Sequence, residues 1–249
     1  MKGHPRLFLS SLLDTFFPPV CPLCRKAPVQ AAELFCSACS AGIVYIAPPI
    51  CSRCGLPFLY ADGAVPLHCP HCLASPAPDV RIRSAGIFSG ALRDALLRFK
   101  YYYDLATGEA LSRLLSRMVP LLHPGGSYDR ILPVPLHPRR LREREFNQSV
   151  LLAKHISRRL RLPIDVSSVA KIRDTRPQST LGEKERRRNI RGAFRVLRLA
   201  PIERTRILVV DDVCTTGATI EELAAVLLDA GAQRVDAVTV ARALTIDRP

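Results

Sequence analysis

Tryptophan is absent from this 249-residue chain, methionine occurs twice, and aromatic residues make up 6% of positions. A chain so poor in flat side chains has no extended stacking platform for single-stranded nucleic acid; Tyr101, Tyr102 and Tyr103 form its tyrosine cluster. No segment reaches the roughly 18 uninterrupted apolar residues that a spanning helix needs. The opening MKGHPRLFLSSLLDTFFPPV is not a signal peptide either, because Asp14 breaks its apolar stretch and Pro18 and Pro19 occupy the cleavage-site positions. Leu9, Leu12, Leu13 and Phe16 instead fall at helical spacing and predict a short amphipathic helix docked on the rest of a cytoplasmic protein. Two nucleotide motifs are missing: GxxxxGK followed by Ser or Thr, and GxGxxG between a strand and a helix. Their absence excludes P-loop ATPases and dinucleotide-dependent dehydrogenases.

Acidic residues are also scarce, 22 against 36 Lys and Arg, for a formal charge of +14. If eight cysteines bind two zinc ions as thiolates, each site contributes −2 and the total falls to about +10. The surplus favours phosphate-rich partners, either a polyphosphorylated small molecule or a nucleic acid. With 48% hydrophobic and 23% charged residues, the chain has ordinary globular composition.

Eight of nine cysteines occur as four CxxC pairs: Cys21 and Cys24, Cys36 and Cys39, Cys51 and Cys54, Cys69 and Cys72. Two residues between thiolates form a tight knuckle whose backbone N–H groups face sulfur, and two knuckles complete a tetrahedral zinc shell. Eleven residues separate the first two pairs and fourteen the last two, enough in each case for a hairpin return. Sequential pairing is expected; an interleaved arrangement uses the same residues and stays open. His68 and His71 flank the last knuckle, but four cysteines already fill each shell. Such sites are structural, because four thiolates leave no open position for water.

From about Ala77 the pattern changes, with Pro76 and Pro78 marking a linker between a module over 1–76 and a larger domain over 77–249. RIRSAGIF reads as a strand, Leu92, Ala95, Leu96 and Phe99 as a helical stripe, and RILPV near Ile131 as another strand. A helix from Phe146 to Leu160, strands near Ile164 and Phe194, and the apolar run Ile207 to Val210 continue the alternation. The expected fold is α/β, a mostly parallel sheet flanked by helices.

ILVVDDVCTTGATIEEL, from Ile207 to Leu223, is the most informative segment. An apolar strand ends in Asp211 and Asp212, a Thr/Gly loop follows, and a helix opens with Thr219 and Glu222 in capping-box register. Thr215, Thr216 and Thr219 offer hydroxyls, Gly217 permits close backbone approach, and a helix amino terminus supplies N–H donors. That set suits a monophosphate. Two carboxylates just ahead of it suit the hydroxyls of a ribose.

Asp-Asp-Val, one variable residue, Thr-Thr-Gly, Ala and Thr together resemble the signature of type I phosphoribosyltransferases, with Cys214 at the variable position. The resemblance implies that Asp211 and Asp212 hold the ribose hydroxyls of phosphoribosyl pyrophosphate. Across Asp211, Asp212, Val213, Cys214, Thr215, Thr216, Gly217, Ala218 and Thr219, it assigns residues 214 to 219 to the 5'-phosphate.

Over nearly the whole chain the sequence further resembles the ComF family, which joins CxxC ribbons to such a domain and is linked to DNA uptake by competent bacteria. The cysteine pairs, FKY at Phe99 to Tyr101, PVPLHPRRLREREFNQS from Pro133, and RDTRPQSTLGEKERRRNIRGAF from Arg173 carry the resemblance. It implies a pyrophosphate loop or lid drawn from Lys100, His137, Arg139, Arg140, Arg144, Arg173, Thr175, Gln178 and Arg186, with Arg139 and Arg144 foremost. Asn147 and Gln148 are further candidates. The chain carries Glu145 where the family has glycine before FNQ, which removes a permissive backbone position. Implied cofactors are two structural zinc ions and Mg2+ with phosphoribosyl pyrophosphate. Three functions stay open: phosphoribosyl transfer, a nucleic-acid-binding adaptor that uses the site for ligand sensing, and a ribbon that docks DNA-uptake proteins. The acceptor and the oligomeric state are not implied.

Overall fold

The structure, a computed structural model, describes residues 20–29, 33–58, 67–74, 78–176 and 183–244. The expected helix of Leu9 to Phe16, Pro76 and Gln178 lie outside the described residues. Two short helices, α1 (Ser37–Ala41) and α2 (Pro70–Ala74), belong to the cysteine region. The α/β part runs β1 (Arg81–Ile87), α3 (Gly90–Tyr101), α4 (Leu105–Leu122), β2 (Arg130–Pro133), α5 (Pro138–Arg144) and α6 (Gln148–Leu160). It continues with β3 (Val169–Lys171), α7 (Glu183–Ile190), β4 (Phe194–Val196), β5 (Arg206–Cys214), α8 (Ala218–Asp229) and β6 (Arg234–Arg242).

Four strands form a parallel sheet in the order β1-β6-β5-β2. Side chains alternate across a strand, so β5 divides its apolar run between two cores. Leu208 and Val210 join Val238, Val240 and residues of α3, α4 and α6, whereas Ile207 and Val209 join Val235, Ala237 and residues of α8. Both faces are buried, which is why β5 and β6 read as nearly continuous hydrophobic runs. The predicted strand near Ile164 is a single bridge to Ile131. Phe194 lies in β4, which pairs antiparallel with β3 as a separate two-stranded ribbon.

The cysteine segments pack directly on this domain. Cys21, Leu23, Val29, Phe35 and Ile43 are buried in the same core as Leu92, Leu96 and Phe99. Arg98 donates to the carbonyls of Pro22 and Leu23, and Thr107 Oγ1 donates to Pro22 at 2.9 Å. The second cysteine segment abuts β1 and β6 instead: Ile82 N donates to Arg53 O at 2.8 Å and Arg83 Nη2 to Ser52 O at 2.7 Å.

Among the described residues no helix is long and apolar enough to cross a membrane.

Candidate functional site

β5 delivers Asp211 and Asp212 to the carboxyl edge of the sheet, where ligands of open α/β folds gather. Asp211 Oδ1 accepts from Ser149 Oγ and from the Asp212 backbone N–H, each at 2.9 Å. Burial, with the charge of Asp212 adding to it, pushes the Asp211 carboxyl up to about 6. Asp212 is tied differently: Oδ1 accepts from the Val213 N–H at 2.7 Å, and Oδ2 lies 2.8 Å from Lys100 Nζ. Burial disfavours the Lys100 charge, but Asp212 and Asp211 outweigh it and raise the ammonium above its usual value.

The next residues turn sharply into α8. Gly217 caps the helix at φ +86°, and a Cβ there would stand 3.2 Å from Ile82 Cδ1, so both conformation and space favour glycine. The expected capping box is not formed: Gly217 makes no side-chain cap, and Glu222 Oε1 accepts from the Gly192 N–H at 2.6 Å. The tertiary partner wins over the local motif. Thr215, Gly217 and Thr219 line a cavity of about 370 Å3 together with Asp211, Asp212, Val213 and Cys214. Thr216 and Ala218 are buried beside it, joined by an Ala218 N–H to Thr216 Oγ1 bond of 3.3 Å. Cys214 is buried and burial pushes its thiol up, which opposes a thiolate nucleophile.

The opposite wall is basic. Lys100, His137, Arg140, Arg144 and Lys171 line the cavity with Asp174, Thr175 and Arg176. His137 caps α5 by accepting from the Arg139 N–H at 3.3 Å. Arg139 is not among the lining residues; its side chain is 66% exposed and pairs with Glu143 and Asp174, each at 3.1 Å. Arg144 sits 5.6 Å above the centre of the Tyr101 ring and donates to Gln148 Oε1 at 3.4 Å. Gln148 is only 2% exposed, and its Nε2 is a buried donor beside the cavity without an acceptor among the described residues. Asn147 is a helix cap: Oδ1 accepts from Ser149 N and Nδ2 donates to Val134 O. Glu145, in place of the expected glycine, holds the left-handed conformation at φ +57° that makes glycine the easier residue there.

Arg173 donates to Arg191 O, and Asn189 clasps Arg176 through both backbone groups. These contacts tie the segment after β3 to the end of α7. Arg173 and Arg186 are not among the cavity-lining residues, and Arg186 lies on α7. Lys171 and Asp174 escaped sequence reasoning. Lys171 sits in a three-residue strand with no motif around it, and only the pairing of β3 with β4 places it across from Asp211.

None of the nine cysteines forms a disulfide. They form two groups of four, Cys21, Cys24, Cys36, Cys39 and Cys51, Cys54, Cys69, Cys72, whose sulfurs lie within 4.8 Å of one another. The pairing is therefore sequential. The Cys36 N–H faces Cys21 Sγ and the Cys69 N–H faces Cys51 Sγ, each at 3.4 Å. Burial raises the Cys51 thiol, yet N–H groups of Cys69, Cys54 and Arg53 bring it down to about 6. These donor sets fit two structural zinc ions. His71 belongs to neither group; its Nε2 meets Arg187 Nη2.

Comparison with known proteins agrees with this architecture. Residues 12–73 match the double zinc ribbon domain family and residues 147–247 the phosphoribosyl transferase domain family. The DNA utilization protein YhgH of Escherichia coli K12 is 35% identical over 232 residues, covering 91% of this chain and 98% of that protein. The chain belongs to the ComF family. A second ComF relative, competence protein F of Haemophilus influenzae, is 30% identical over 92% of this chain and 99% of its own length. Among solved structures, glutamine phosphoribosylpyrophosphate amidotransferase from B. subtilis, complexed with ADP and GMP, aligns with a TM-score of 0.40 and 17% identity. That alignment covers 58% of this chain and 30% of the amidotransferase.

Proposed function

We propose that the cavity binds phosphoribosyl pyrophosphate with Mg2+, and that the chain is a phosphoribosyltransferase or a descendant that kept the ligand, serving DNA uptake in the cytoplasm. One observation carries this reading: two aspartates of unlike environment abut a glycine-capped helix start, across one cavity from Lys100, Arg140, Arg144 and Lys171. Asp211 and Asp212 accept the ribose hydroxyls, and the N–H groups of 214 to 219 take the 5'-phosphate. Arg140 and Arg144 supply forked donors to a diphosphate, and Lys171 adds a point charge. Transfer of the ribosyl group would build charge on the leaving diphosphate, so these fixed cations act on the transition state more than any proton-moving base. The DNA role rests on the names of the two relatives above. The division at residue 76 stands as part of the same proposal.

Calorimetry with Mg2+ tests this reading on zinc-loaded wild type and an Asp211→Asn/Asp212→Asn variant. Saturable binding that the variant loses is expected; no binding by wild type overturns the reading. Ribose hydroxyls donating to Asp211 favour its ionised form, so affinity should climb between pH 5 and pH 7 and then level. Stability runs the other way. The raised folded value of about 6 means that proton binding by Asp211 stabilises the fold at low pH, and this is lost as pH rises through about 6. Asp211→Asn alone should therefore melt a few degrees above wild type at pH 7.5 and level with it below pH 4, checked by calorimetric melts. Equal melting temperatures at both values would mean that folding does not raise the Asp211 carboxyl.

A nucleic-acid adaptor has one observation behind it, the run Arg186, Arg187 and Arg188 on α7. Arg187 is already engaged, 2.8 Å from Glu221, so the ligand reading is preferred.

A further inference from the structure

The second cysteine cluster lies against the loop that opens at Cys214. Arg242, at the end of β6 and only 4% exposed, donates from Nη1 to Cys54 O at 2.7 Å and to Cys214 Sγ at 3.2 Å. One guanidinium thus bridges the CxxC knuckle and the first residue of the phosphate loop. Arg53, inside that knuckle and 8% exposed, donates to Cys72 O at 3.2 Å and reaches Glu221 Oε1 at 3.6 Å. Glu221 stands in the first turn of α8. The loop is therefore held at both ends by arginines rooted in the second ribbon. Its floor is held too: Ile82, whose Cδ1 lies under Gly217, donates its N–H to Arg53 O.

Charge explains why two arginines are buried there. A zinc ion with four thiolates carries −2, and two adjacent guanidinium groups balance it. With neutral thiols in place of the loaded cluster, the same arginines are buried cations lacking that partner, a costly arrangement. The first ribbon differs. Its ties run through Arg98 and Thr107 to Pro22 and Leu23, on α3 and α4.

We propose that Arg53 and Arg242 are positioning residues that link metal occupancy of the second ribbon to the geometry of the loop from Cys214 to Glu221, and that the first ribbon has no such link. The ligand half of this inference rests on the phosphoribosyl pyrophosphate reading; the geometric half does not. Because linkage is reciprocal, a ligand held by the loop also retains metal in the second ribbon.

Hydrogen exchange on the full, zinc-loaded chain tests the geometric half without any ligand. Arg242→Gln and Arg53→Gln are compared with Arg98→Gln, the matching lesion at the first ribbon. Circular dichroism and a zinc content of two per chain identify the folded variants, and Arg53→Gln carries the test if Arg242→Gln does not fold. Amides 214–221 should exchange at least tenfold faster in the Arg53 or Arg242 variant and at the wild-type rate in the Arg98 variant. Unchanged exchange at these amides, or equal acceleration by Arg98→Gln, overturns the link. Zinc release to a coloured chelator is then followed with and without phosphoribosyl pyrophosphate and Mg2+. Slower release of one zinc in two supports reciprocity, whereas bound ligand with both rates unchanged overturns it. Absent ligand binding sinks the functional reading alone, and the exchange result still decides the link.

Discussion

Chelating zinc from the intact chain will disrupt the α/β domain as well as the ribbons. A structural zinc site contributes about 10–16 kcal/mol of apparent binding free energy near neutral pH, as much as the roughly 5–15 kcal/mol that holds a whole domain folded. In this chain the loss cannot stay local. Cys21, Cys36 and Cys39 share a buried cluster with Leu23, Phe35, Leu92, Leu96, Phe99 and Leu111, so a collapsed first ribbon uncovers α3 and α4. Loss of the second ribbon removes the cluster charge and the carbonyls of Cys72 and Cys54 from beside Arg53 and Arg242. A strong chelator should lower the melting temperature by tens of degrees or abolish the cooperative transition, with a rise in binding of an apolar dye. Thermal melts followed at helix and near-ultraviolet wavelengths check this. If the α/β transition keeps its midpoint while only ribbon signals vanish, the shared core contributes little and the ribbons are independent modules.

Substituting Gly108 with alanine will destabilise the protein, although helix propensity alone favours alanine by about 1 kcal/mol. A Cβ at Gly108 would stand 2.3 Å from Phe99 Cε2 and 2.7 Å from Cδ2. Phe99 is fully buried and rests 5.8 Å from the Phe146 ring, so it has little room to retreat. Overpacking of this kind costs about 1–3 kcal/mol; at about 2–4 °C per kcal/mol for a chain of this size, a fall of several degrees is expected. Function should follow, because Lys100 is the next residue and carries the ion pair to Asp212. Gly108→Ala should therefore weaken phosphoribosyl pyrophosphate binding several-fold at a temperature where the variant is still folded, read by calorimetry. A higher melting temperature with unchanged affinity would mean that Phe99 does not fix Lys100.

What the sequence determined by itself was the chemistry carried by contiguous residues. Four CxxC pairs specify two four-thiolate shells because the ligand spacing lies within each knuckle, and Asp211 to Thr219 specify a strand end, a loop and a helix start within nine residues. The parallel sheet follows from apolar runs alternating with helical stripes. Gly217 was legible as a position of close backbone approach, and its positive φ is what the structure adds.

Tertiary structure decided everything that depends on distant residues meeting. Of two adjacent arginines that both pair with Glu143 and Asp174, Arg140 lines the cavity and Arg139 does not, a difference set by the helical rotation of α5. Glu222 leaves its local capping role for the Gly192 N–H. Lys171 enters the site only because β3 pairs with β4, and Arg242 reaches Cys54 across 188 positions only because β6 ends beside the second ribbon. Local motifs encode what neighbouring residues can bind; sheet order and helix packing decide which surfaces share one cavity, where a partly buried charge interacts more strongly than in water.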